Sequence, residues 1–296
     1  MQVKTFLLHP ILPYNLNLSL QRLRRDPIYI FEKEAVYRTL KVNQSLYLLK
    51  IYFQKHNEKT VKVESVCLDG NMEPEKVQNT LERMLSIDQE LQIIYDIMNQ
   101  LPNLSDLTKT FCGLHIFQEP DLFQCMVKLI IAQQINTSFA AELTRNLIEG
   151  VSETVQYGHQ TYSVFPSASQ ITSHCVDDLV KRKFNQRKAE YIIDFAQDVH
   201  NGKIDLSKLK HLSDSAVMDE LLKVRGIGPW TAQCFMIFGL GRKNIVPESD
   251  IGIQKAVQNV YKLKGRPKKN DVLRLSETWH PIGSYVTRYL WETLRS

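Results

Sequence analysis

Leu221-Leu222-Lys223-Val224-Arg225-Gly226-Ile227-Gly228-Pro229-Trp230-Thr231-Ala232 describes a helix that stops and at once restarts. Gly226 ends an apolar helical run because glycine tolerates positive φ. Pro229 opens the next helix, where its missing N–H costs nothing. A hairpin this tight leaves unpaired backbone N–H groups at the second helix's N-terminus, where the helix dipole is positive, and so offers a cradle for a phosphate. A Gly-rich turn between two core helices would explain a bare Gly-x-Gly equally well. Here Val246-Pro247-Glu248-Ser249-Asp250-Ile251-Gly252-Ile253 begins eighteen residues after Gly228, and the pairing of the two segments is far rarer than either alone.

Outward from the hairpin, helical spacing dominates from Leu122 onward, over 120–134, 137–150, 168–173, 175–181, 186–200, 214–223, 229–239, 251–261, 271–278 and 283–294. Phe165-Pro166-Ser167, Asn201-Gly202, Gly241 and Gly265-Arg266-Pro267 punctuate it. The first third reads differently. Tyr29-Ile30-Phe31, 36–42, 46–53 and 61–66 are β-branched or aromatic with partial alternation, His56 to Lys59 suits a hairpin turn, and helical spacing follows over 77–85 and 87–98. These patterns predict an α+β N-terminal domain with an antiparallel sheet over residues 1–107. An all-α domain over 108–296 follows it.

Asp250 stands directly before an apolar helix carrying Ile251, Ile253, Ala256, Val257 and Val260, so the residues alone make it an N-cap. Trp291 with Tyr285, Tyr289 and Leu294 makes an ordinary apolar face, and Ala132-Gln133-Gln134-Ile135-Asn136 an ordinary loop between helices.

Three segments together, Gly226 to Ala232, Pro247 to Ile253, and Trp279-His280-Pro281 through Tyr285 to Trp291, resemble the helix-hairpin-helix DNA glycosylases, and most closely the DNA-3-methyladenine glycosylase II type. The resemblance runs from about Gly113 to Leu294. It implies that Gly226, Ile227, Gly228 and Thr231 grip one DNA strand, and that Asp250 faces a nucleotide flipped out of the duplex. A carboxylate there stabilises the oxocarbenium-like sugar and orients or deprotonates the attacking water. It also implies that Trp230 and Trp291 hold the base, since a π-face attracts a cationic alkylated purine. Gln133 and Gln134 match the loop that fills the gap left by the extruded nucleotide, and Gln134 stands where some members carry a hydrophobic wedge. In relatives that also cleave the backbone, a Lys occupies the place of Trp230 and forms a Schiff base. An indole cannot, so a monofunctional enzyme is expected, excising alkylated purines and leaving an abasic site. One departure stands out: Gly283 takes a place where the family usually has Arg. Trp279 reads as structural, and Arg187-Lys188-Ala189-Glu190-Tyr191 as helix packing.

The chain has 296 residues, 43% hydrophobic and 23% charged, in the range of globular proteins. No apolar run approaches a membrane span, and the first ten residues have too short an apolar core for a signal peptide. A cytoplasmic, bacterial, DNA-associated protein is expected, working as a monomer on damaged double-stranded DNA, with no membrane partner. Five scattered cysteines without a C-x-x-C argue against a disulfide framework or zinc site. No cysteine follows Cys234, which excludes the four-cysteine iron–sulfur loop that some relatives carry near the C-terminus; no cofactor and no metal are expected. Residues 201–296 carry 16 Lys/Arg against 9 Asp/Glu while the whole chain is only +5, so the positive surplus travels with the hairpin. Much of it is Lys262, Lys264, Arg266, Lys268 and Lys269, which suits a phosphate-facing surface or a solvated loop alike. A non-catalytic DNA-binding module is the alternative function.

Overall fold

Period-two alternation in the first third builds a five-stranded sheet in the computed structural model, which describes residues 2–54 and 59–295. β1 (Val3–Leu8), β2 (Tyr29–Phe31), β3 (Ala35–Val42), β4 (Ser45–Tyr52) and β5 (Val61–Asp69) lie in the order β1-β5-β4-β3-β2, every pair antiparallel. The turn expected at 56–59 lies, Lys59 apart, outside the described residues. One face sends Val36, Leu40, Tyr47, Leu49, Ile51, Val61 and Val63 into the core. There they meet α1 (Leu16–Leu20), α2 (Pro74–Leu85) and α3 (Gln92–Met98), which bury Leu16, Leu20, Val77, Leu81, Met84, Ile94 and Met98.

The rest is helical: α4 (Ser105–Thr110), α5 (Leu122–Ala132), α6 (Thr137–Val151), α7 (Ala168–Thr172), α8 (Val176–Val180), α9 (Gln186–His200), α10 (Asp214–Leu222), α11 (Pro229–Phe238), α12 (Ile251–Val260), α13 (Lys269–Ser276) and α14 (Gly283–Glu292). Side-chain oxygens of Asp121, Asn136, Ser167, Asn185, Ser213 and Asp250 cap α5, α6, α7, α9, α10 and α12, which is why these helices start where they do. Residues 107 and 108 both lie within α4, and one hydrophobic cluster draws on the residues before and after them.

Two features depart from expectation. β1 is a strand, its inward Phe6 and Leu8 too few to show as alternation until β5 pairs with them. The helical part also contains a hairpin, β6 (Thr154–Tyr157) and β7 (Gln160–Ser163). It packs over the sheet's second face, where Tyr162 joins Leu48 and Val66 and the Thr39 hydroxyl donates to the Ser163 carbonyl at 2.6 Å. At four residues each, these strands sit at the lower limit of a period-two signal.

A buried charge network fastens the sheet to the helices. Arg38 on β3 bonds Glu119 at 3.0 Å and the Tyr29 hydroxyl at 2.6 Å, and Lys128 on α5 bridges Glu119 and Asp26. Burial would push the Glu119 carboxyl up, but Arg38 and Lys128 outweigh it and hold the group below its usual range.

Candidate functional site

The hairpin between α10 and α11 has the geometry its residues dictate. Gly226 sits at φ +86°, and a Cβ there would stand 2.3 Å from the Tyr191 ring of α9. Gly228 is the N-cap of α11, with no side-chain cap and nothing within 4 Å of where its Cβ would be. Only a backbone can be approached at such a place. Ile227 and Thr231 are both buried. Arg225 is drawn to Glu190 at 2.5 Å and Asp194 at 2.6 Å on α9, and Lys223 to Glu220 at 2.7 Å.

Asp250 lies at the start of α12 and serves as its N-cap, Oδ1 accepting the Ile253 N–H at 2.8 Å. The same carboxylate receives two indoles. Trp291 donates Nε1–H to Oδ1 at 3.0 Å and Trp230 donates Nε1–H to Oδ2 at 2.7 Å. A carboxylate has about four acceptor positions; three are filled, and the vacant one is on Oδ2. The tryptophans thus present edges to the acid. Gly252 lets them close in: a Cβ there would stand 2.9 Å from Asp250 Oδ1 and 3.4 Å from Trp291 Cδ1.

α14 supports this site at both ends. Trp291 near its C-terminus stacks on Phe238 with centroids 5.7 Å apart, and the Arg22 guanidinium lies 4.1 Å from the Phe238 centroid. At its N-terminus the Ser284 hydroxyl donates to the Arg242 carbonyl at 2.6 Å and accepts the Ile245 N–H at 2.9 Å. Gly283 packs its N–H against Asn244, and a Cβ there would meet Val246 at 2.8 Å. An arginine side chain at 283 has no room, which gives the departure from the family pattern a steric reason. Glu248 is no rival acid: it is buried, accepts from Gln233 at 2.6 Å and pairs with Lys269 at 3.3 Å. One cation of the basic loop is thereby engaged, while Lys262, Lys264, Arg266 and Lys268 stay exposed. Trp279 is fully buried and donates to the Tyr261 hydroxyl.

The loop between α5 and α6 divides its two glutamines. The Gln133 amide turns inward, donating at 2.8 Å both to the Gly226 carbonyl and to the Thr231 hydroxyl. Gln134 is exposed, with φ +57°. Gln133, Gly226, Thr231, Trp230, Asp250 and Trp291 therefore form one connected patch. Sequence reasoning missed Arg22 and Phe238, since nothing local marks either. Gly252 had a signal, its place two residues after Asp250. Among the described residues no group of three or more His, Cys, Asp or Glu is placed to hold a metal ion, and no helix is long and apolar enough to cross a membrane.

Comparison with known proteins bears on the same segments. The family model of the HhH-GPD superfamily of base excision DNA repair proteins matches residues 127–281. A candidate DNA-3-methyladenine glycosylase of Bacillus subtilis (strain 168) is 32% identical, covering 95% of this chain and 96% of its own. A second B. subtilis protein, a DNA-3-methyladenine glycosylase, is 27% identical over 96% of this chain and 94% of its own. Among solved structures, the 3-methyladenine DNA-glycosylase from Archaeoglobus fulgidus superposes with a TM-score of 0.86 over 98% of both chains at 22% identity.

Proposed function

The chain belongs to the HhH-GPD superfamily of base excision DNA repair proteins, and from that premise we propose a monofunctional glycosylase that hydrolyses alkylated purines from duplex DNA. The convergence of Trp230, Trp291 and the Ile253 N–H on the Asp250 carboxylate carries this reading. As the base departs, positive charge grows on the sugar, and a carboxylate fixed by three donors need not reorganise to meet it. The vacant position on Oδ2 can accept from the attacking water. The main chain at Gly226 to Thr231 would hold a phosphate, Trp230 and Trp291 would flank the extruded base, and Gln134 would take its place in the stack. We place the enzyme in the bacterial cytoplasm, as a monomer acting without a cofactor. The sheet with its helices (1–107) would support a catalytic part (108–296). Incubation of the purified protein with methylated duplex DNA should release free alkylated purine. Tight, salt-sensitive binding without release would instead leave the non-catalytic DNA-binding module standing.

Two further outcomes are expected. Borohydride added during turnover should trap no protein–DNA adduct, because an indole at Trp230 offers no amine; a covalent adduct on a denaturing gel would establish lyase chemistry instead. Trp291→Phe keeps a ring to stack on Phe238 but removes one donor to Asp250. Single-turnover excision should slow about tenfold, the worth of one hydrogen bond to a charged group. An unchanged rate would show that this N–H does not serve the reaction.

A further inference from the structure

Lys188 is 6% exposed on α9 and has no carboxylate partner among the described ion pairs. Its ammonium donates instead to two backbone carbonyls, Ile131 at 2.6 Å and Gln133 at 3.0 Å. These are orphan carbonyls at the C-terminal end of α5, where a helix favours a cation. The next residue, Gln134, holds a left-handed backbone at φ +57°, a conformation that non-glycine residues keep only where their surroundings impose it. On the other side of the loop, the Gln133 amide is tied to Gly226 and Thr231 of the hairpin. An ammonium, a strained residue and a side-chain tether thus fix a single loop. Burial lowers the Lys188 pKa, so the protein bears a cost to keep a lysine here.

We propose that Lys188 is a positioning residue that locks the Gln133–Gln134 loop to α9 while the Gln133 amide ties it to the hairpin, so that Gln134 is presented ready to enter the stack when a nucleotide is extruded. This deepens the glycosylase reading and rests on it. Lys188 touches neither base nor sugar, and its contribution lies in extrusion, before any bond breaks. Its loss should therefore matter most where the lesion is well paired and stacked, and least where it has no partner base.

The test compares Lys188→Met, Lys188→Arg and wild type on two duplexes, one with 7-methylguanine opposite cytosine and one with it opposite an abasic gap. In Lys188→Met, single-turnover excision should fall about thirtyfold on the paired lesion, on the order of what a lost hydrogen bond from a charged group is worth. It should fall less than about threefold opposite the gap, and Lys188→Arg should recover part of the loss. A 2-aminopurine beside the lesion, whose fluorescence rises on unstacking, should show weakened extrusion in Lys188→Met only on the paired duplex. Gln133→Met, which cuts the other tether at a half-buried site, should reproduce the same split if Lys188→Met proves too unstable to assay. Equal losses on both duplexes, or no loss on either, would overturn the role proposed for Lys188 while leaving the glycosylase intact. Wild-type protein inactive on both duplexes would defeat the glycosylase reading itself, and this inference with it.

Discussion

Asp250→Asn should lower single-turnover excision by about 10³-fold, the scale on which a preorganised electrostatic partner of a developing charge acts. Binding of lesion DNA should stay within about threefold of wild type. The substitution is chosen for what it preserves. Asparagine is as good an N-cap as aspartate, so its side-chain oxygen continues to accept from Ile253 and Trp291, and α12 keeps its start. The loss falls at the other atom. An amide nitrogen in place of Oδ2 points N–H at the N–H of Trp230, now 2.7 Å away, leaving that donor unsatisfied and the vacant acceptor position gone. Quenched-flow release of base from methylated duplex measures the first effect, fluorescence anisotropy the second. Turnover within tenfold of wild type would remove Asp250 from the mechanism.

Gly226→Ala is the second large effect, on stability and on DNA together. A methyl group at 226 has to adopt φ +86°, which costs about 1–2 kcal/mol for an L-residue. It also stands 2.3 Å from the Tyr191 ring, which packs from α9 beneath the Arg225 guanidinium and has to move. Together these should cost roughly 3 kcal/mol and lower the Tm by roughly 6–10 °C. The Gly226 carbonyl also accepts from Gln133, so the wedge loop loosens with it and DNA affinity should fall at least about tenfold. Gly228→Ala separates the two consequences. Its position is open, with nothing within 4 Å, so its Tm should stay within about 2 °C of wild type while DNA affinity falls, because the methyl occupies the path of an approaching phosphate. A stable, tight-binding Gly226→Ala protein would refute the account of the hairpin.

These two expectations rest on features of unequal visibility in the sequence. Gly226, Gly228 and Pro229 announce their backbone because each removes or adds a conformational constraint that no other residue supplies. Asp250 as an N-cap is visible for the same reason. That Trp230 and Trp291 turn their N–H edges toward that acid is not, since a stretch of sequence shows a ring but not which side of it meets an acid 20 residues away from one and 41 from the other. Gln133 and Gln134 look identical in the chain; one amide turns inward only because Gly226 and Thr231 arrive beside it. Lys188 reads as a packing residue until α5 ends against it. Arg22 and Phe238 have no local mark, and β1 becomes a strand only when β5 supplies its partner. Glu248, two residues from Asp250, is removed from candidacy by Gln233 and Lys269, both distant in sequence.

Arg38 and Asp26 come from the first third of the chain, Glu119 and Lys128 from the start of the helices, and each finds its counter-charge across that divide. Severing the chain near residue 107 would leave the buried Arg38 guanidinium without its carboxylate partner, and would uncover apolar surface on both fragments. The residues after the divide are consequently matched in charge to this particular sheet. A foreign counterpart for either half would have to bring matching charges to these four positions.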